Sequence, residues 1–111
     1  MEFSLFNLMT RPKDGPGHAE TFAQMRAMTQ MTDQAGFDIA WFAEHHLSNY
    51  SICPSPLMAA AHMAALTQRI KVGPAVIVLP FYEPLRLAEE ICMADQLCNG
   101  RLVLGLGTGY Q

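Results

Sequence analysis

The sequence predicts an α/β fold with a parallel sheet, either a βα barrel or an open α/β sheet. Two observations predict it. Short apolar, β-compatible runs alternate along the chain with longer stretches of helical periodicity, and polar or glycine-rich residues follow the apolar runs directly. Alternation of this kind is typical of parallel strands joined by right-handed helical crossovers. In both architectures, active sites lie at the carboxyl ends of the strands.

The first strand and the first helix are separated by a loop. We predict the strand over the apolar run 3–8 and the loop over 10–17, where two prolines and two glycines exclude regular structure. A helix begins at His18, because apolar residues then recur every three or four positions. Its predicted buried face comprises Phe22, Met25, Met28, Met31 and Ala35. Gly36 ends the helix.

The second strand is followed directly by three ionisable residues. The run 38–43 is densely apolar and comes just after a glycine, so we predict a strand that is buried on both faces. Glu44, His45 and His46 come immediately after it. In a parallel sheet this position is the edge at which active sites form.

The second helix and the third strand have clear boundary signals. Ser55 is predicted as the N-cap and Pro56 as the first helical residue. The helix that follows, 57–68, is apolar on every side and is therefore predicted to pack between neighbours. The third strand is predicted over 70–79, which is rich in β-branched residues, and Pro80 closes it.

The last predicted units are a third helix and a fourth strand. Pro84 begins the helix, and Asn99-Gly100 ends it. Its predicted inner face comprises Leu87, Ile91, Ala94 and Leu97. The fourth strand is predicted over 102–106, next to a glycine-rich segment.

Composition restricts the classes of function. Half of the 111 residues are hydrophobic and 15% are charged, as in globular domains. The net charge of -3 and the pI near 5.7 predict no nucleic-acid partner. Three cysteines without CxxC spacing disfavour a disulfide framework or a zinc site and favour a cytoplasmic location. We expect no membrane association, because no apolar run approaches the ~20 residues of a transmembrane helix.

The Glu44-His45-His46 cluster has three interpretations. As a metal site it is weak, because the spacing is not HExxH and no third ligand lies at a recognisable spacing. As a structural feature, one histidine would cap backbone carbonyls while Glu44 pairs with a nearby arginine or histidine. As a catalytic feature, one histidine would be a general acid/base tuned by a local carboxylate.

Two glycine-containing segments also have structural and functional interpretations. The segment 105–109, GLGTG, is either a tight βα turn or a place where a cofactor approaches the backbone, with Thr108 donating to a phosphate. It does not match the GxGxxG dinucleotide fingerprint. Gly73-Pro74 indicates a bulge or a late strand start, or else a strained segment beside an active site.

Three segments carry a resemblance to a known family: GFDIAWFAEHHLSN, VGPAVIVLPFYEPLRLAEE and ADQLCNGRLVLGLGTGY. In this order and spacing they resemble the bacterial luciferase-like flavin-dependent monooxygenases. The resemblance covers nearly the whole chain and implies a (β/α)8 TIM barrel. Residues 1–111 would then be the N-terminal portion of a single barrel domain. They would supply about its first half, namely four strands and the three helices between them.

The resemblance implies a cofactor and a catalytic residue. Reduced FMN would bind at the mouth of the barrel and react with O2 to oxygenate an organic substrate. His45 matches the family's catalytic histidine, the first of the EHH pair, and Glu44 matches the acid near the flavin. A separate NAD(P)H flavin reductase would supply the reduced FMN.

Four further positions match cofactor-binding residues of the family. Ala75 and Val76 match a non-prolyl cis peptide that supports the flavin ring, and Gly107 and Thr108 match positions beside the flavin and its phosphate. The light-emitting luciferase subunit has a reactive cysteine in place of Gly107 and an arginine in place of Thr108. We therefore expect no light emission, and we expect phosphate binding to depend on residues outside this chain.

Two alternatives stay open beside the FMN monooxygenase. Relatives of the same fold use a deazaflavin coenzyme for hydride transfer, and the chain could instead be a non-catalytic flavin-binding partner subunit. We also expect a homo-oligomer, since two four-stranded halves could pair to close a barrel. Half a barrel lacks about half of the loops that form the mouth, so we expect the 111-residue chain alone to be inactive.

Overall fold

The computed structural model describes residues 1–109 as five short strands and three α-helices in alternation. Their bounds are β1 Ser4–Asn7, α1 His18–Gln34, β2 Ile39–Phe42, α2 Pro56–Leu66, β3 Lys71–Pro74, β4 Ile77–Val78, α3 Pro84–Leu97 and β5 Leu106–Gly107. A 3-10 turn, Leu79–Phe81, follows β4. The predicted α/β alternation is therefore confirmed. Tyr110, the last residue of the third matching segment, lies outside the described residues. Within residues 1–109, no helix combines the length and apolar character needed to cross a bilayer.

The strands are parallel and lie side by side in chain order. β1 pairs with β2 and β2 with β3, so that Ser4, Ile39 and Lys71 are in register. β4 pairs with β5 in a second parallel ladder. Because all strands run the same way, their carboxyl ends lie along one edge. We call this edge, with the segments that follow β2 and β4, the upper end.

The third predicted strand is divided in the structure, so the single strand over 70–79 is wrong. A cis peptide bond joins Ala75 and Val76, between β3 and β4. On one side of this bond, the Ala75 N–H donates to the Phe42 carbonyl at 2.8 Å. On the other side, the Ile77 N–H donates to the Gly105 carbonyl at 2.8 Å. Before the cis bond the backbone therefore pairs with β2 on one side and with the last strand on the other, and after it the pairing with β2 ends while the pairing with the last strand continues.

The fourth predicted strand begins later than expected. Regular pairing is confined to β5, although the segment before it already runs parallel to β3. The Val103 N–H donates to the Val72 carbonyl at 2.9 Å, and the Gly105 N–H donates to the Pro74 carbonyl at 3.0 Å. The predicted start near residue 102 therefore corresponds to an interrupted ladder.

Gly73 and Pro74 lie inside a regular ladder and not in a bulge or before the strand. They pair with Trp41 and Phe42 of β2. A Cβ at Gly73 would lie 1.8 Å from the Val103 carbonyl oxygen. Glycine is therefore required there because the neighbouring backbone approaches too closely for any side chain.

Helix ends follow local sequence signals. The Ser55 hydroxyl accepts from the Met58 N–H at 3.4 Å, and Pro56 is the first residue of α2, as predicted. Gly36 and Gly100 have φ of +87° and +74°, conformations that favour glycine after a helix. The N-cap of α3 is Glu83, which was not predicted; its carboxylate accepts from the N–H of the third residue along.

The buried faces of the helices differ from the predictions. On α1, Met28 and Met31 are 48% and 61% exposed, and the buried residues are Thr21, Met25 and Thr29. The two threonines can be buried without an unpaired hydroxyl, because each hydroxyl donates a hydrogen bond to the carbonyl four residues earlier. Ala35, which was predicted on the same face of α1, is exposed as well. The other corrections are Met58 on α2, 72% exposed, and Leu97 on α3, 55% exposed.

The core lies between the sheet and the helices. Its most deeply buried members include Ala40, Phe42, Ala60, Met63, Ile70, Val72 and Cys98. Residues 1–109 do not close into a barrel, because β1 and β5 have no partner on their outer sides within the described chain. Apolar side chains of the sheet stay exposed in consequence; they include Phe6, Leu104 and Leu106.

Candidate active site

A cleft of about 270 Å3 opens at the upper end of the sheet. It is lined by Glu44, His45, His46, Ala75, Val76, Val78, Phe81 and Gly109. Complete small-molecule sites have volumes of roughly 300–1,000 Å3, so this cleft has the size of part of such a site. The structure thus brings together the cluster after β2 and the cis peptide before β4, which are some 30 residues apart in sequence.

Glu44 is the most deeply buried ionisable residue of the cleft. Its side chain has no exposed surface. One carboxylate oxygen lies 2.7 Å from Nε2 of His46. The other accepts from the backbone N–H of Val78 at 2.9 Å and from the hydroxyl of Tyr82 at 3.0 Å. Three donors therefore satisfy the carboxylate inside the protein.

The two histidines have different surroundings. His46 pairs with Glu44, and its ring contacts the Phe81 ring edge-on, with centroids 4.6 Å apart. His45 has no side-chain hydrogen bond among the described residues. Its ring lies 4.9 Å from that of Tyr50, and its backbone N–H donates to the Cys53 carbonyl at 3.0 Å. Of the earlier interpretations, the pairing of Glu44 with a nearby histidine is therefore observed.

A second cavity of about 440 Å3 also adjoins the two histidines. His18, residues 47–49, residues 51–52 and Pro54 line it together with His45 and His46. The histidines therefore border both cavities. Among residues 1–109, no group of three or more His, Cys, Asp or Glu side chains is arranged to hold a metal ion.

Burial and the nearby Glu44 carboxylate raise the pKa of two groups, the Tyr82 hydroxyl and the Cys53 thiol. Both effects raise the pKa of the Tyr82 hydroxyl, so that it stays protonated and able to donate. Burial, with a smaller contribution from Glu44, also raises the pKa of the Cys53 thiol to about 11. A thiol with such a pKa is a poor nucleophile near neutral pH.

Of the four remaining predicted site residues, two form the cis peptide and two lie on the neighbouring strand or directly after it. Ala75 and Val76 line the cleft and are joined by the cis bond that the resemblance implied. Gly107 and Thr108 follow on the neighbouring strand but are not among the described residues that line the cleft. A Cβ at Gly107 would lie 2.9 Å from a methyl group of Val76, which is a packing reason for glycine at that position.

The sequence predicts Phe81 and Tyr82 at the edge that carries active sites, but no individual role for them or for Val78. In the structure Val78 and Tyr82 bond Glu44, and Phe81 contacts His46. The available signal was their position directly after a strand, at the edge that carries active sites.

The family model described as luciferase-like monooxygenase matches residues 1–111. The chain belongs to this family. Over its whole length it is 48% identical to the uncharacterized protein y4vJ of Sinorhizobium fredii, of which it covers 32%. It is 36% identical to the oxygenase component of flavin-dependent trigonelline monooxygenase of Acinetobacter baylyi, with 98% of this chain and 30% of that protein covered. The chain therefore spans about a third of the length of these relatives.

A solved structure gives the same result for the fold. The chain matches the oxygenating constituent of 3,6-diketocamphane monooxygenase from Pseudomonas putida, determined in complex with FMN, at a TM-score of 0.91 and 30% identity. The match covers 100% of this chain and 30% of that one. The α/β fold of luciferase-like monooxygenases is therefore confirmed, while residues 1–109 form an open part of it.

Proposed function

We propose that this chain is the N-terminal portion of a single barrel domain in a monooxygenase that uses reduced FMN and O2 on an organic substrate. The observation that carries the proposal is the cleft, in which apolar residues, Ala75, Val76 and Phe81, lie beside His45 and His46. In the reaction, one oxygen atom of O2 enters the substrate and the other leaves as water. The two electrons and two protons come from the reduced flavin.

The cleft fits the ring of FMN better than its phosphate. Ala75 and Val76 line the cleft with small apolar side chains and would support a flat aromatic ring. No lysine or arginine is among the described residues that line the cleft. The phosphate would therefore need cationic groups from another part of the barrel, with Thr108 as a hydroxyl donor. When bound, the flavin supplies the redox chemistry.

His45 is the residue that we propose as general acid/base. Its ring borders the cleft and is held by the edge-on contact with Tyr50. It has no side-chain hydrogen bond among the described residues, so both ring nitrogens are available to a bound molecule. We assign Glu44 to the cofactor site as a negative charge beside the flavin, because its carboxylate is already occupied by protein donors.

The proposed partners follow from the family. The relative from Acinetobacter baylyi is named an oxygenase component, which supports a separate NAD(P)H flavin reductase as the source of reduced FMN. We also propose a homo-oligomeric, cytoplasmic enzyme. The isolated chain of 111 residues should be inactive, since it covers only about 30% of the flavin-binding structure that it matches.

The test is a flavin titration followed by measurement of O2 consumption on the complete protein. We expect FMN binding and substrate-dependent O2 consumption with reduced FMN. His45→Ala should keep FMN binding and lose at least ~100-fold in rate, because a general acid/base contributes about that much or more. His62→Ala is the matched control, since His62 is an exposed histidine on α2 outside the cleft.

Two results would favour the alternatives. A protein that reduces a substrate with the deazaflavin coenzyme, and shows no O2-dependent turnover with reduced FMN, would be a hydride-transfer enzyme. If His45→Ala has the same activity as the unmodified protein in an assembled complex, the chain would be a non-catalytic flavin-binding subunit.

A further inference from the structure

The bonds of Glu44 indicate more than a charge beside a flavin. The two carboxylate oxygens are used differently: one contacts only His46, and the other accepts from both Val78 and Tyr82. The last two donors come from the segment after the cis peptide, while Glu44 and His46 follow β2. The carboxylate therefore joins two neighbouring βα connections at the mouth of the cleft.

The orientation of this carboxylate is fixed by two donors on the same oxygen. The Val78 donor is a backbone N–H of a strand, whose position the ladder with β5 determines. The Tyr82 donor is a hydroxyl that stays protonated, since burial and Glu44 raise its pKa. With one oxygen held in this way, the other oxygen is aimed at Nε2 of His46.

This arrangement determines where His46 carries its proton. Nε2 lies 2.7 Å from a carboxylate oxygen, which accepts hydrogen bonds and cannot donate when ionised. With an ionised carboxylate, Nε2 is the nitrogen that carries the proton of this hydrogen bond, and in the neutral imidazole Nδ1 is then the acceptor. The side chain is 36% exposed and borders the cleft, and no described residue hydrogen-bonds Nδ1. A carboxylate that orients a histidine in this way is a recurring catalytic arrangement.

We propose that Tyr82 and Glu44 are positioning residues that hold His46 with its proton on Nε2, so that Nδ1 of His46 exchanges a proton with the molecule bound in the cleft. The inference rests on the proposed function for the identity of that molecule. The arrangement of Tyr82, Glu44 and His46 itself needs no flavin.

A structural role for the same bonds makes a different prediction. If Glu44 only fastens the segment after β4 to the end of β2, removing the Tyr82 hydroxyl would lower stability and leave the His46 imidazole unchanged. If Tyr82 is a positioning residue, the same change would alter the side-chain nitrogen signals of His46 in a folded protein. The two roles are therefore separated by a spectroscopic readout of one imidazole.

The experiment compares Tyr82→Phe, Glu44→Gln and Tyr50→Phe by NMR of 15N-labelled histidine in the complete protein without flavin. In the unmodified protein we expect the proton of His46 on Nε2, with a downfield signal from its hydrogen bond to a carboxylate. Tyr82→Phe should move the His46 nitrogen signals, and Glu44→Gln should remove the downfield proton. Tyr50→Phe, at the ring that contacts His45, should leave the His46 signals in place.

Kinetics on the same variants supply the second readout. Tyr82→Phe should lower kcat about tenfold while the Kd for FMN changes less than about twofold, because the phenol reaches the cofactor site only through Glu44, whose carboxylate keeps the Val78 and His46 donors. Unchanged His46 signals in Tyr82→Phe would overturn the proposal, even if Glu44→Gln fails to fold. A protein that binds no FMN would overturn the proposed function alone, because the NMR readout is made without flavin.

Discussion

The main polar side chains at the two ends of the parallel sheet bond to different kinds of groups, namely backbone at one end and other side chains at the other. At the end opposite the cleft, which we call the lower end, Asp33 accepts from the N–H groups of residues 68, 69 and 70 at 2.7–3.0 Å. Arg101 donates there to three carbonyls and one hydroxyl around the end of α2. At the upper end, Glu44 bonds two side chains, those of His46 and Tyr82.

This difference indicates that the lower-end side chains serve folding and that the upper-end side chains serve function. At the lower end, polar side chains form hydrogen bonds with backbone N–H and C=O groups. Backbone groups that lose water on folding need such partners, so these bonds serve folding. At the upper end, the side chains of Glu44, His46 and Tyr82 bond to one another, and Glu44 and His46 border a cavity, so these bonds can be exchanged for bonds to a ligand. We therefore expect lower-end variants to change stability alone, and upper-end variants to change chemistry more than stability.

The largest stability effect is expected at Arg101. Arg101→Met should lower the free energy of unfolding by about 3 kcal/mol, because several partly buried carbonyls lose a charged donor. Urea denaturation of the complete protein measures the change. The control is Arg86→Ala, whose ion pair with Glu90 lies on the exposed surface and is worth less than ~1 kcal/mol. Equal losses in the two variants would contradict the assignment of the lower end.

Asp33 should give a smaller, pH-dependent effect. Burial opposes its ionisation, but three backbone donors and Arg69 outweigh burial and hold its pKa below the ordinary 3.8. A lowered pKa gives stability that is fully present above pH 3.8 and is lost as the pH falls through the folded-state value.

The corresponding variant is Asp33→Asn. It should lose about 1–2 kcal/mol at pH 7, since the amide replaces one acceptor oxygen by a donor. The difference from the unmodified protein should shrink below pH 3.8, as measured by denaturation at several pH values. A difference that stays constant down to pH 2 would show that the Asp33 charge contributes nothing.

The smallest expected effect is a difference in thiol reactivity between the two ends. Cys53 lies beside the upper cleft and Cys98 just after α3 at the lower end; both are buried, and burial raises the pKa of each thiol. Cys53 lines a cavity of about 450 Å3 between α1 and α2, whereas Cys98 has no exposed surface, so Cys53 should react with iodoacetamide several-fold faster than Cys98. Mass spectrometry of the alkylated peptides measures both rates, with exposed Cys92 as the fast reference. Faster labelling of Cys98 would reverse the comparison.

Much of the fold could be predicted because its signals are local. Ser55 and Pro56 begin a helix, and Gly36 ends one, through contacts within a single turn. The position of Glu44 and the two histidines at the upper end followed from the order of the elements alone, since parallel strands end at one edge.

The burial of α1 and the division of the third strand could not be predicted in the same way. Met28 and Met31 are more hydrophobic than Thr21 and Thr29, yet the threonines are the residues that pack inward. Which face of a helix is buried depends on where the sheet lies, and a threonine can be buried when its hydroxyl bonds to its own helix. The end of pairing with β2 at Ala75 depends likewise on tertiary structure, because the segment that stays paired, through Gly105, lies 30 residues further along the chain.

The sequence by itself determined the α/β alternation, most of the helix ends, the family and the edge at which the ionisable residues lie. Only the tertiary structure decided that Glu44 turns to His46 and Tyr82, so that the two adjacent histidines differ. Glu44 and Tyr82 are 38 residues apart, and no local preference relates them. Their contact exists because two neighbouring strands end side by side, and a buried carboxylate then takes the donors that surround it.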